Sequence, residues 1–249
     1  MSSLTISLVQ YNIAWKNKEA NFDKISAMCS DSDTDMIVLP EMFQTGFCID
    51  DVSQAESMEG KSVSWMIEFT NKYQNAICGS ILIKEEEHVF NRFILVSKGE
   101  VVGYYDKTHV FVLGGEHKHI TPGNTKADMV LNGFKIRPIV CYDLRFPYTS
   151  FNDTEYDVLI NTANWPSTRI LHWDALLQAR SIENQAYVIG CNRVGEQDGI
   201  FYPGHSSAYA PSGDQIVHSV KEEILTFTIT KKAIEDTRSE LPFLKDRRM

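Results

Sequence analysis

No two cysteines in this sequence are spaced as CxxC, and no apolar run approaches the roughly 20 residues a membrane-spanning helix needs. The five cysteines, Cys29, Cys48, Cys78, Cys141 and Cys191, are odd in number and widely separated, which argues against a disulfide framework and against a zinc cluster. Lys and Arg form no stripe. The densest basic stretch is Lys245, Arg247 and Arg248, and the net charge is −9. Nucleic-acid affinity rests on neutralising phosphates, so no nucleic-acid partner is expected. No GxSxG occurs, so nothing points to a serine hydrolase. The opening MSSLTISLVQYN lacks a charged segment followed by an apolar one and reads as a first strand rather than a signal peptide. Repeats, low-complexity segments and linkers are missing as well. These absences leave a cytoplasmic globular protein with free thiols, most of them small core residues.

What is present is an alternation of strand-like and helix-like stretches. Leu4, Ile6 and Leu8 alternate as in a strand, and Phe22, Ile25, Met28 and Cys29 recur at helical spacing. Met36–Leu39 reads as a buried strand ending at Pro40, and Val63, Met66, Ile67 and Phe69 mark a second helix. Strands are expected over 76–83, 90–96, 101–105, 134–140, 157–162, 187–191, 206–210, 215–220 and 224–230, with a helix over 171–186. Asn132-Gly133 is a strong short-range hairpin signal. The charge run from Lys84 to Glu87 suits a hairpin tip. The whole reads as one α/β domain over residues 1–249, with a core over about 5–230 and a tail over 231–249.

Three loops follow apolar strands, where layered α/β folds place their sites. In Pro40-Glu41-Met42-Phe43 the carboxylate could simply end its strand. Its apolar flanks would instead raise the Glu41 pKa and suit it to general base work. In Tyr104-Tyr105-Asp106-Lys107 the lysine could be solvated. With its stem covered by the aromatic neighbours, its ammonium could stabilise an oxyanion. In Val140-Cys141-Tyr142-Asp143 the cysteine could be an ordinary core residue. It could equally stand at a strand-to-turn elbow as a nucleophile, with a nearby lysine lowering its pKa and the Tyr142 N–H joining Lys107 in an oxyanion hole.

Other chemistry is less well supported. His117-x-His119 has a metal-ligand spacing but no third ligand, so no metal is expected. His109, His172 and His205 would be the bases of a Cys–His pair, yet none has a setting that singles it out.

Taken together, PEMF with Glu41, YDKTHVF with Lys107 and VCYDLRFP with Cys141 resemble the three signature segments of the nitrilase superfamily of carbon–nitrogen hydrolases. The likeness runs from about Thr5 to about Thr230. More narrowly, Asn91-Arg92-Phe93, Ala163-Asn164-Trp165-Pro166, His172-Trp173, the stretch 179–188 and the stretch 190–195 resemble the bacterial omega-amidase branch. The resemblance implies a four-layer α-β-β-α sandwich, a homodimer packed through helices, and hydrolysis that needs no cofactor. It assigns Cys141 as nucleophile, Glu41 as proton shuttle, Lys107 as oxyanion partner and Glu116 as a second glutamate beside the lysine. The implied substrates are small omega-amido acids, with or without a 2-oxo group, such as 2-oxoglutaramate, 2-oxosuccinamate or succinamate. Arg145 would meet their carboxylate, unless it forms a structural salt bridge with Asp143. Phe43, Phe47, Phe146 and Trp165 are candidate pocket walls. The alternatives are a carbamoyl-amide hydrolase, a nitrilase, or a non-catalytic binding or assembly module.

Overall fold

The computed structural model describes residues 2–247. The chain opens with strand β1 (Ser3–Gln10), whose apolar residues are buried on both faces. Helix α1 (Lys18–Met28) follows. The Asn17 side chain accepts from the Ala20 N–H at 3.2 Å and caps it, while Phe22 and Ile25 turn inward. Strand β2 (Met36–Val38) is wholly buried and lies parallel to β1, with Leu8 opposite Val38. Helix α2 (Lys61–Tyr73) is amphipathic, burying Val63, Met66 and Phe69. Strands β3 (Ala76–Glu85), β4 (His88–Ser97) and β5 (Glu100–Asp106) then form a meander whose first tip carries the expected charge run.

The second half repeats the plan. Strands β6 (Met129–Leu131) and β7 (Phe134–Val140) are joined at Asn132-Gly133, where φ is +47° and +82°. Both signs match the two-residue turn that asparagine and glycine favour. A 3-10 turn over Cys141–Arg145 leads to the short helix α3 (Pro147–Ser150). Strand β8 (Val158–Ala163) is followed by helix α4 (Ile170–Asn184) and strand β9 (Tyr187–Asn192). The hairpin β10 (Val194–Gln197) and β11 (Ile200–Pro203) stands apart as its own two-stranded sheet. Strands β12 (Ser206–Tyr209) and β13 (Gln215–Ser219) complete the second sheet. Strand β14 (Glu223–Thr230) returns to the first, antiparallel to β1, and helix α5 (Lys231–Glu240) closes the fold.

Two six-stranded sheets result, ordered β14-β1-β2-β3-β4-β5 and β13-β12-β9-β8-β7-β6. One apolar cluster fills the space between them, with Ile6, Leu8, Val38 and Phe93 of the first sheet and Ile136, Val140, Ile160 and Ile189 of the second. A second cluster lies between the first sheet and helices α1 and α2, built on Phe22, Ile25, Met66 and Phe69. A third lies between the second sheet and α4, built on Leu159, Trp173, Leu177 and Val188. The order helix, sheet, sheet, helix is the four-layer sandwich. It follows from strands that are apolar on both faces and must be covered on each.

Candidate active site

The parallel strands of both sheets end at the same edge of the sandwich. Glu41 lies just past β2, Lys107 just past β5 and Cys141 at the end of β7, so three residues far apart in sequence meet there. Glu41, Lys107 and Glu116 are all fully buried. Lys107 Nζ donates to Glu41 Oε1 at 2.9 Å and to Glu116 Oε2 at 2.9 Å. Asn91, on β4, donates to Glu41 Oε1 at 2.8 Å and to Glu116 Oε1 at 3.3 Å. From the second sheet, the Asn164 N–H donates to Glu41 Oε2 at 3.0 Å and its side-chain amide to the Glu41 carbonyl at 2.7 Å. Glu41 is thereby gripped from both sheets. Glu116 sits in a 3-10 turn after Gly115, whose φ is +81°, and its carboxylate also accepts from the Phe111 N–H.

Cys141 has a left-handed backbone, with φ at +46°. A residue with a Cβ rarely adopts that conformation, and it persists only where the surroundings enforce it. They do so here. The Cys141 N–H donates to Asn161 Oδ1 at 2.6 Å. The buried Asp143 carboxylate accepts from the Val140 N–H at 3.0 Å, the His109 N–H at 2.8 Å and the Tyr105 hydroxyl at 2.9 Å. The Tyr142 N–H lies in the first turn of the 3-10 segment, where backbone donors have no partner within the turn.

The electrostatics differ from the expectation that Lys107 would favour a thiolate. Burial pushes the Cys141 thiol well above its ordinary value, the Glu41 charge pushes it further, and the opposing pull of Lys107 does not compensate. The lysine is already committed to two carboxylates. Burial works against its ammonium, but Glu116 and Glu41 outweigh that, so its pKa is raised and it stays charged. While both carboxylates keep their charge, the one cation does not offset a thiolate as well.

A cavity of about 430 Å³ opens above these groups. Cys141, Lys107, Phe47, Trp165 and Arg145 line it, as does the Asn164 side chain. Arg145 lies over Trp165 at 4.8 Å and over Tyr142 at 5.9 Å. Its expected partner Asp143 is occupied elsewhere, and Arg145 instead meets His172 Nδ1 at 3.1 Å. A second guanidinium, Arg169, lines the same cavity and lies over Phe111 at 5.2 Å. Burial and the neighbouring like charge of Arg169 both lower the Arg145 pKa.

Comparison with known proteins gives this arrangement its family. The Carbon-nitrogen hydrolase family model matches residues 5–239. The chain belongs to the carbon-nitrogen hydrolase family. It is 38% identical to an omega-amidase of Escherichia coli, YafV, over 99% of this chain and 97% of that one. It is 30% identical to a 2-oxoglutaramate amidase of Bacillus subtilis over 97% of this chain and 96% of that one. Among solved structures, a CN-hydrolase superfamily protein of Xanthomonas campestris carrying an arsenic adduct in its active site superposes with a TM-score of 0.96 at 35% identity, covering 100% of this chain and 98% of that one. The protein is therefore a hydrolase acting on carbon–nitrogen bonds, built on the nitrilase-type sandwich.

Within this carbon-nitrogen hydrolase, two expected wall residues lie elsewhere. Phe43 is fully buried in the cluster under α1 and α2, packed against Phe22 and Trp65. Phe146 stacks on the His109 ring at 3.8 Å and meets Tyr142 edge-on at 5.2 Å, so it backs the elbow rather than facing the cavity. Tyr104, expected to cover the Lys107 stem, lies over Arg92 instead, and Phe47 stands 5.7 Å from Nζ. The three histidines considered as bases are engaged at Asp143, Arg145 and Asp174. His117 lies within a 3-10 turn and His119 caps its end, so the two do not share a strand face. Arg169 and Tyr202 also line the cavity, and Asn91 and Asn164 hold its carboxylates; the segments around the two asparagines resemble the omega-amidase branch, but no role for any of the four is read from the sequence. Asp198-Gly199 is a usable hairpin signal that leads to Tyr202; Arg169 carries none.

Proposed function

We propose that this protein hydrolyses the terminal amide of small omega-amido acids, of the 2-oxoglutaramate or succinamate kind, through a thioester on Cys141. Glu41 takes the thiol proton as sulfur attacks the amide carbon, since a free thiolate beside two buried carboxylates is disfavoured. Lys107 and the Tyr142 N–H hold the oxyanion. Protonated Glu41 passes its proton to the leaving nitrogen, ammonia departs, and Glu41 then activates the water that cleaves the thioester. Glu116 keeps Lys107 charged and aimed.

The observation that carries the choice of substrate is the pair Arg145 and Arg169. Among the described residues neither guanidinium has a carboxylate partner, and both line a cavity in a protein whose net charge is −9. Such a site suits an acid whose carboxylate forms a paired, charge-assisted contact. Names of similar proteins, omega-amidase and 2-oxoglutaramate amidase, support the same reading.

We also propose a homodimer in the cytoplasm. Leu171, Ala175, Ala179 and Ile182 form an exposed stripe along α4 beside the exposed Tyr148 of α3, and a second copy of the same stripe would cover it. Five free cysteines suit a reducing compartment.

The test is ammonia release from succinamate, 2-oxoglutaramate and butyramide by the wild type and by Cys141→Ala. We expect release from the two acids, little from butyramide, and none by the variant. Release from ureido compounds or nitriles instead would replace the substrate assignment. Equal release by both proteins would remove Cys141 from the mechanism.

A further inference from the structure

Away from the cavity, three side chains converge that the chemistry above does not use. They are Asp174 on α4, His205 in the connection between β11 and β12, and His218 on β13. His205 Nδ1 lies 2.9 Å from Asp174 Oδ2 and 3.1 Å from Oδ1. The His218 ring stands edge-on to His205, with centroids 4.8 Å apart and planes at 90°. One ligand-capable atom from each of the three lies within 4.8 Å of the others.

The position of His205 is enforced by its surroundings. Its φ is +61°, a left-handed backbone for a residue with a Cβ, and its carbonyl accepts from Trp173 Nε1 at 2.7 Å. An imidazole–carboxylate hydrogen bond needs only Asp174 and His205. The second imidazole meets the first through its ring, so it adds a lone-pair donor beside the pair. Two imidazole nitrogens and one carboxylate oxygen match borderline divalent ions of the zinc class, whereas calcium and magnesium prefer all-oxygen shells. Ligand atoms around tetrahedral zinc stand about 3.4 Å apart at normal bond lengths. His218 is exposed, so its side chain is not held by burial at the present separation.

We propose that Asp174, His205 and His218 form a binding site for a divalent transition metal of the zinc class, separate from the cavity that holds Cys141. The ligands come from three elements, so the ion ties α4, the β11–β12 connection and β13 together. Asp174 neighbours Trp173, which packs at 5.4 Å against Trp165 of the cavity wall. His205 follows three residues after Tyr202 of the same cavity. The ion thus braces the outer side of that wall.

The experiment titrates zinc chloride into the metal-free, full-length Cys141→Ser protein by calorimetry, with cobalt(II) as an absorbance probe of ligand geometry. The thiol is removed so that it cannot act as a ligand. We expect one equivalent per chain, a rise in thermal midpoint with zinc, and affinity reduced about 10- to 100-fold by His218→Ala and by Asp174→Asn. Far-UV circular dichroism checks that each variant is folded. Absence of saturable uptake would overturn the proposal. So would uptake that neither substitution weakens, because the ion would then sit elsewhere, for instance at His117 and His119.

Discussion

At the scale of single residues, the site combines strong neutralisation with an unmet demand. Lys107 is bracketed by Glu41 and Glu116, so the buried centre carries one net negative charge before any thiolate forms. Arg145 and Arg169, by contrast, have no carboxylate partner among the described residues. Replacing Arg145 with alanine should raise KM for succinamate about 10- to 100-fold, the loss of one charge-assisted contact, while kcat changes far less. Steady-state kinetics with an acid and a neutral amide would check it, since only the acid should suffer. The residues proposed for the chemistry, Glu41, Lys107 and Cys141, are each ambiguous alone and become legible only together, through the three segments that resemble one family. Their supports are not. Asn164 and Glu41 are 123 residues apart, and no local pattern announces that a backbone N–H from one sheet will hold a carboxylate from the other.

At the scale of elements, the packing of α4 on β9 fixes the floor beneath Trp165. A Cβ on Gly190 would come within 2.5 Å of Leu177 Cδ1 and 2.6 Å of Trp173 Cζ2. Gly190→Ala should therefore destabilise the protein by about 1–3 kcal/mol, read as a lower urea midpoint. It should also lower kcat/KM, because Trp173 is wedged against the cavity wall. Long apolar strands and the amphipathic α2 can be read directly from periodicity. The β10–β11 hairpin cannot. Its turn, Asp198-Gly199, has φ of +53° and +73°, much like Asn132-Gly133, yet the flanks Val194–Gln197 and Ile200–Pro203 show no clean alternation. Without that hairpin, nothing in the sequence brings Tyr202 to the cavity. The 3-10 turns that carry Cys141 and Glu116 are too short to have a period at all.

At the scale of the molecule, burial of ionisable groups sets the response to pH. Cys29, Cys78, Cys141 and Cys191 all have thiols raised by burial, Cys29 to about 12. A thiol in the unfolded chain loses its proton near pH ~8.5, while these folded ones keep theirs. The native state then binds more protons than the unfolded state, so stability falls as pH rises above about 8.5. Thermal midpoints measured from about pH 7 to about pH 11 should decline steadily, and replacing Cys29 with alanine should flatten the decline at some cost in packing. Equal slopes with and without Cys29 would show that this thiol is not linked to folding.

Because Glu41 and Lys107 belong to one sheet while Cys141 and Asn164 belong to the other, the proposed mechanism makes turnover a caliper on the gap between the two layers. An opening too slight to unwind a helix or part a ladder would still pull the proposed base Glu41 and oxyanion partner Lys107 away from sulfur. In mild urea, ammonia release should fade before the far-UV signal moves, and it should return as soon as the denaturant is diluted.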